Sequence, residues 1–232
     1  MFNNDIINDA GYVTYRTAEE INDAMIRVYN YMALAVVNSM LVSYLISSSP
    51  ALMAFLFTGV MKWIVLLAPI AAIFAIGYFI DKVSKSGAQL LLHGFAALMG
   101  LSFGFIFAVY SLGSIVGAFM GAAVLFGSMS LYGYFTKRSL ESMGQFMFIG
   151  LIAIIIASVV NIFIGSTVMQ MVISALAIII FLGLTAYDTQ QIREAVSVGH
   201  EGNEEVKGAL TLYMDFINIF INLLQLFGGK KE

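Results

Sequence analysis

The sequence contains no cysteine, and among its 232 residues there are only two histidines, two prolines and one tryptophan. Without cysteine, the protein has no disulfide framework and no thiolate metal site. The sequence also shows no Ser/His/Asp or Cys/His arrangement, no phosphate-binding glycine loop and no His-rich metal site. We therefore predict that the protein is not an enzyme and that it has no resident cofactor.

Charged residues are also scarce, at 11% of the chain, whereas 60% of the residues are hydrophobic and the mean hydropathy is +0.92. A soluble domain normally carries about 25% charged residues. The composition therefore predicts an integral membrane protein surrounded by the lipid bilayer, with no room for a separate soluble domain. The formal net charge of −3 gives no reason to expect a nucleic acid as a partner.

The hydrophobic residues form about seven segments, each close to the ~20 residues needed to span a bilayer. The predicted spans are residues 28–46, 63–80, 88–110, 112–134, 145–164, 167–187 and 210–227. We expect an all-α membrane protein in which residues 28–227 form a single seven-helix domain. A polar cytoplasmic tail (1–27) precedes this domain, and a short C-terminal tail (228–232) follows it. The apolar segment 51–61 is too short to span, and is either interfacial or the start of the next helix.

The breaks between the spans differ in their content of lysine and arginine, which sets the orientation of membrane proteins. With seven spans, eight of these residues fall on the side of the N-terminus and three on the other side. The eight are Arg16, Arg27, Lys82, Lys85, Lys137, Arg138, Arg193 and Lys207, and the three are Lys62, Lys230 and Lys231. We predict a cytoplasmic N-terminus and an external C-terminus.

Glycines recur at every fourth residue in two neighbouring predicted spans. They are Gly100 and Gly104 in one span, and Gly113, Gly117 and Gly121 in the next. Small residues at this spacing let helix backbones approach each other closely within a bilayer. We expect both sets to lie at contacts between helices.

The last predicted span carries polar side chains on one helical face, at spacings of 4, 3, 4 and 3 residues. They are Thr211, Asp215, Asn218, Asn222 and Gln225. Unsatisfied polar groups are costly in lipid, so this face must turn towards the protein interior. It either joins the helix to its neighbours by hydrogen bonds or lines a water-accessible path. Asp215 favours the path, because hydrogen bonding between helices does not need a charge.

Asp188 directly follows the sixth predicted span. It either marks the point where that helix meets water or lies within a longer helix, since residues 186–196 contain no helix breaker. We interpret residues 193–212 as a loop joining two antiparallel helices, and its middle is about equally far from Asp188 and Asp215. The two carboxyl groups are therefore expected at similar depth, facing each other.

Two carboxylates in a desolvated site cannot both ionise cheaply, so a single proton can bridge them. Such a pair is in principle a proton-operated latch, and when ionised it offers the hard oxygen ligands that Ca²⁺ prefers. Asp188 and Asp215 could thus bind calcium transiently. His93, at the cytoplasmic end of the third span, either titrates with this pair or is a hydrogen-bonded packing residue.

Two motifs carry a resemblance to a known family. Residues 184–190 read LTAYDTQ and residues 213–218 read YMDFIN, each with one aspartate. With the polar N-terminal tail and the seven closely connected spans, they make the chain similar to the bacterial branch of the Bax inhibitor-1 family. The resemblance implies six helices around a central seventh, in a bacterial inner membrane. It also implies a pH-sensitive calcium leak in which two aspartates, at the positions of Asp188 and Asp215, form a hydrogen-bonded pair.

Members of that family can add a basic partner to the acids from the second helix. This sequence has no arginine there, and Lys82 is the nearest candidate. The resulting prediction is a calcium-permeable leak channel, with calcium and protons as its partners and the polar residues of the last span along its pore. Some bacterial relatives are thought to bind a membrane-embedded protease, so the alternative is a regulator that binds other membrane proteins and conducts no ions.

Overall fold

The computed structural model describes residues 15–198 and 202–231. Within these ranges the chain forms nine helices and no β-strand. They are α1 (Ala18–Ser47), α2 (Pro50–Leu56), α3 (Met61–Phe79), α4 (Lys85–Ser102), α5 (Gly104–Val109), α6 (Leu112–Phe135), α7 (Glu141–Ile164), α8 (Thr167–Ser197) and α9 (Glu204–Phe227).

Seven stretches of helix are long and apolar enough to cross a membrane, which confirms the predicted number of spans. Six are the single helices α1, α3, α6, α7, α8 and α9, and the seventh is Lys85–Val109, which combines α4 and α5. The apolar segment 51–61 belongs mainly to α2, a separate short helix. The Ser49 hydroxyl accepts a hydrogen bond from Leu52 N, and Pro50 occupies the first turn, where proline is favoured.

Helix α1 begins at Ala18, within the segment predicted as a polar tail. Thr17 and Glu20 form a capping box: Glu20 N donates to the Thr17 hydroxyl, and Thr17 N donates to the Glu20 carboxylate. This exchange satisfies free N–H groups at the start of the helix. The polar residues 18–27 therefore form the first turns of α1, and residues 1–14 of the tail lie outside the described part of the chain.

The predicted loop 193–212 is wrong in its extent. Helix α8 continues to Ser197 and α9 already begins at Glu204, while the middle of the predicted loop, residues 199–201, lies outside the described residues. The polarity of this segment suggested a loop, but acidic side chains in a first turn also stabilise a helix start, as Glu204 and Glu205 do here. Asp188 consequently lies inside α8, as the absence of a helix breaker indicated.

Helix α9 is the most buried of the spans, which confirms the predicted bundle around a central last helix. It packs against α8, α1, α6 and α4, while α7 lies on α8 and α3 lies on α4. Leu212, Tyr213 and Ile219 are fully buried. The Tyr213 hydroxyl is hydrogen-bonded to the Ser39 hydroxyl of α1 at 2.6 Å.

The two ends of the bundle are called the N-terminal side and the C-terminal side, after the chain terminus that lies at each. The N-terminal side carries the start of α1, the α3–α4 turn and the α8–α9 turn, because Arg16 N donates to Ser197 O and the Asn203 amide donates to Ile80 O. The C-terminal side carries the α7–α8 turn and the chain end, where Lys231 N donates to Val109 O. In the predicted orientation, the N-terminal side faces the cytoplasm.

The glycine prediction is confirmed for one set and wrong for most of the other. A Cβ atom on Gly100 would lie 2.6 Å from Ser39 O, and one on Gly104 would lie 2.7 Å from Ile46 Cγ2, so α1 packs closely on both positions. A Cβ atom on Gly113 or Gly117 would meet open space. Spacing shows that glycines share a face, but it does not show which face of α6 meets a neighbour.

The glycine of α6 that permits a close approach is Gly133. A Cβ atom there would collide with the backbone of Ala186, close to Asp188 in α8. Gly133 thus holds α6 directly against the helix that carries the first aspartate.

Candidate functional site

Asp188 and Asp215 line the same cavity. The cavity has a volume of about 990 Å³ and lies between α7, α8 and α9, with Ile73 of α3 also in its wall. It is continuous along α9 from Leu210 to Gln225, which is about 22 Å at a rise of 1.5 Å per residue. The cavity therefore follows most of the length of the central helix.

The predicted polar face of the last span forms one wall of this cavity. Thr211, Asn218, Asn222 and Gln225 all line it, together with Asp215. The Asn218 side-chain amide donates to Met214 O at 2.7 Å, and the Asn222 amide donates to Asn218 O at 2.8 Å. These bonds fix both side chains along the wall. The stripe therefore faces a cavity, and its role in a pore stays a prediction.

The two aspartates lie at similar depth because α8 and α9 run antiparallel. Asp188 is about 14 Å from the end of α8, and Asp215 is about 16 Å from the start of α9, both measured from the N-terminal side. Both residues line the cavity at this depth. The similar offset of the two residues from the α8–α9 turn thus places them at similar depth in one cavity wall, and their hydrogen-bonded pairing stays a prediction.

The two carboxyl groups differ in their surroundings. Asp215 is only 4% exposed and Asp188 is half-buried. Within the described part of the chain, the buried Oδ2 of Asp215 has no hydrogen-bond partner. A buried oxygen without a partner is costly, so the site favours a shared proton or a bound cation there.

Lys82 and His93 are not brought to the aspartates. Lys82 follows α3 at the end of the bundle, where its ammonium group lies 3.2 Å from the centre of the Tyr78 ring. It does not line the cavity, and among the described residues it forms no ion pair with either aspartate. His93 lies on α4, outside the cavity wall, and its carbonyl oxygen accepts a hydrogen bond from the Asn38 amide at 2.8 Å.

Sequence reasoning missed an ion cluster around the buried Glu205 at the N-terminal side. The Glu205 carboxylate accepts hydrogen bonds from Arg27 Nε at 3.0 Å, Arg27 Nη2 at 2.8 Å and Lys85 Nζ at 2.7 Å. Arg16 Nη1 lies 4.0 Å away. The cluster joins the first turn of α9 to α1 and α4. The signal was present as basic residues flanking the first and third spans, but Glu205 was assigned to a loop.

Further contacts close the same end of the bundle. The Asn203 side-chain amide donates to Ile80 O at 2.6 Å and to Val83 O at 3.0 Å. Lys207 forms ion pairs with Asp81 at 2.5 Å and with Glu204 at 2.8 Å. The α8–α9 turn is therefore tied to the α3–α4 turn, some 15 Å from the aspartate pair.

With the seven spans described and both aspartates placed in the cavity wall, the comparisons with known proteins decide the family. A model of the family described as "Inhibitor of apoptosis-promoting Bax1" matches residues 21–232. The chain belongs to the Bax inhibitor-1 family. The match covers every span and both aspartates, so it includes the whole cavity.

Several bacterial proteins are similar to this Bax inhibitor-1 family member over nearly their full length. Inner membrane protein YbhL of Escherichia coli K12 is 37% identical, covering 89% of this chain and 92% of its own. Protein RP147 of Rickettsia prowazekii is 36% identical, with 92% of each chain covered. A protein of Deinococcus radiodurans is 34% identical, with 94% of each covered. Together with the seven spans, these relatives identify a multi-pass bacterial inner membrane protein.

Proposed function

We propose that this protein is a pH-sensitive, calcium-permeable leak channel in which Asp188 and Asp215 share a proton and thereby close the path. The observation that carries the proposal is that Asp188 and Asp215 line one cavity, whose wall includes the polar stripe of α9. A stripe that only joined helices would be covered by its neighbours. Here it faces a volume of about 990 Å³, enough for many water molecules.

The chemistry of the cavity wall suits a hard cation that passes rather than stays. Ca²⁺ takes six to eight oxygen ligands. Asp188 and Asp215 supply carboxylate oxygens, and the side chains of Asn218 and Asn222 add amide groups farther along α9. In the described part of the chain, no group of three or more acidic or histidine side chains converges on one point. An ion at the pair would therefore keep most of its water, as transit requires.

The proposed gate follows from the electrostatics of the pair. When one proton is shared, the two carboxyl groups attract each other and hold α8 and α9 together at mid-depth. When that proton is lost, two like charges face each other, one of them on the buried Asp215, and their repulsion favours separation. A fall in pH therefore favours the closed form, and a rise in pH favours the open form.

The test is calcium flux into liposomes that contain the purified protein and an internal calcium dye. We expect flux above that of empty liposomes, and we expect it to increase between about pH 6 and pH 8. Glu194→Gln is the matched control, because Glu194 is an exposed acid on the same helix α8 and lies outside the cavity. A folded protein without flux at any pH would contradict the proposal.

The alternative, a regulator that binds other membrane proteins, has one structural feature in its favour. Gly113 and Gly117 present a small-residue face of α6 that no other helix of the described chain covers closely. Faces of this type let a partner helix approach within a bilayer. Absence of flux, combined with loss of a co-purifying membrane protein in Gly117→Leu, would favour this alternative.

A further inference from the structure

Polar side chains from three helices meet at the C-terminal side of the cavity, the end opposite the α8–α9 turn. They are Asn161 in the last turn of α7, Gln170 and Ser174 in the first turns of α8, and Gln225 in the last turn of α9. Gln170 and Gln225 both line the cavity. We call these four residues the amide clasp.

The amide clasp is a continuous chain of hydrogen bonds. Gln170 Nε2 donates to Gln225 Oε1 at 2.9 Å, and the Ser174 hydroxyl donates to the same oxygen at 3.0 Å. Asn161 Nδ2 donates to Gln170 Oε1 at 3.3 Å. The chain thus runs from α7 through α8 to α9.

The inner members of the clasp are held firmly. Asn161 is 6% exposed and Ser174 is fully buried, whereas Gln170 and Gln225 are exposed. Asn161 is fixed by Ser166, whose N–H donates to Asn161 Oδ1 at 3.1 Å and whose carbonyl accepts from Asn161 Nδ2 at 3.2 Å. Two buried anchors therefore hold two exposed amides in the cavity wall at its C-terminal end.

The clasp connects α7 to α9 through α8, and the cavity lies between α7 and α9. Helix α7 packs on α8 and makes no extensive contact with α9. Gln225 is about 15 Å along α9 from Asp215, so the clasp and the aspartate pair are distinct points on one cavity wall. At the C-terminal side, the clasp is where α7 and α9 are joined.

We propose that the amide clasp is a second closure, which must part before a cation can pass between the cavity and the water on the C-terminal side. The passage of a cation rests on the proposed function, whereas the closure rests only on the hydrogen bonds of the amide clasp. Amide groups do not titrate, so this closure is independent of pH. Parting also frees the Oε1 atoms of Gln170 and Gln225, and carbonyl oxygens of this kind are calcium ligands.

The closure can be tested without measuring flux, because the chain contains no cysteine. Asn222→Cys places a single thiol in the cavity wall about one turn inward from Gln225. The rate of its reaction with a charged, membrane-impermeant thiol reagent is measured in lipid nanodiscs, where both water faces are accessible. Gln170→Met removes the amide hydrogen bonds at similar side-chain size. We expect it to raise the rate at least about fivefold, as loss of one or two neutral hydrogen bonds implies.

A thiol at the other end of the cavity is the matched control. Thr211→Cys lies in the same wall, near the N-terminal side, and its reaction rate should not change in the Gln170→Met background. Gln225→Met is the second variant, and it should reproduce the increase at Asn222→Cys. Unchanged rates at Asn222→Cys in both folded variants would overturn the proposal, and so would equal increases at both thiols.

Flux then separates this inference from the proposed function. In liposomes, Gln170→Met should raise calcium flux by a similar factor at every pH and leave the pH dependence intact. If the wild-type protein conducts nothing while the thiol rates change as expected, the closure stands and the proposed function fails. If flux depends on the aspartates but neither the thiol rates nor flux respond to Gln170→Met, the closure fails and the proposed function stands.

Discussion

Arg27 binds the Glu205 carboxylate with two nitrogens, at 2.8 and 3.0 Å, and so fastens the first turn of α9 to α1. Glu205 is buried although it lies in the first turn of α9. Lys85 of α4 binds the same carboxylate. A planar guanidinium that meets a carboxylate in this way is among the stronger ion pairs in proteins. The central helix is thus anchored at one end by charge and along its length by apolar packing.

We predict that Glu205→Ala lowers the free energy of unfolding by about 1.5–3 kcal/mol, since it removes hydrogen bonds between charged groups and leaves Arg27 and Lys85 without their partner. The measurement is the melting temperature of the detergent-solubilised protein. Glu194→Gln is the control, because Glu194 is exposed, and it should change stability by no more than about 0.5 kcal/mol. Equal melting temperatures for Glu205→Ala and the wild type would show that the cluster contributes nothing to stability.

We predict that Gly100→Leu destabilises the bundle more than Gly117→Leu does. The side chain at position 100 would collide with the backbone of Ser39, and overpacking of this kind costs about 1–3 kcal/mol or more. Position 117 faces open space, so leucine there should change the melting temperature little. A large loss of stability in Gly117→Leu would show that a second protein or a second copy covers this face of α6.

The polar stripe of α9 was predictable because its positions repeat at the helical period, and a helix in a membrane must turn such a face inward. The similar depth of Asp188 and Asp215 in the cavity wall was predictable from their positions on either side of the α8–α9 turn. The Glu205 cluster was not, because polar residues at the ends of two helices have the same composition as a loop. Lys82 and Gly117 show a further limit. The sequence places Lys82 at a helix end and Gly117 on a helix face. Which neighbour that end or that face meets depends on tertiary packing.

We predict that a reporter fused to the N-terminus lies in the cytoplasm and one fused to the C-terminus lies outside. Seven spans place the termini on opposite sides, and the eight-to-three distribution of lysine and arginine sets the direction. The measurement pairs a fluorescent protein that folds in the cytoplasm with a phosphatase that is active only outside. Phosphatase activity at the N-terminus would reverse the orientation and would place the Glu205 cluster on the external side.

We expect Asp215→Asn to lose both the pH response and most calcium flux. Asparagine cannot supply the charge that repels Asp188, nor the anionic oxygen that attracts a cation at this buried position. Asp188→Asn should also lose the pH response, but it retains flux if Asp215 alone attracts the ion. In the wild type, flux should rise roughly tenfold or more between about pH 6 and pH 8, since a tenfold change in open fraction needs only about 1.4 kcal/mol.

The direction of the pH effect separates this latch from a general effect of charge. Below the range in which the pair titrates, the shared proton keeps the wild type closed, and as pH rises the proton is lost and flux increases. Glu194→Gln removes a negative charge from the same helix outside the cavity, so it should keep the wild-type profile. If both aspartate variants kept that profile too, the carboxyl groups would be structural contacts, and the pH response would arise elsewhere in the chain.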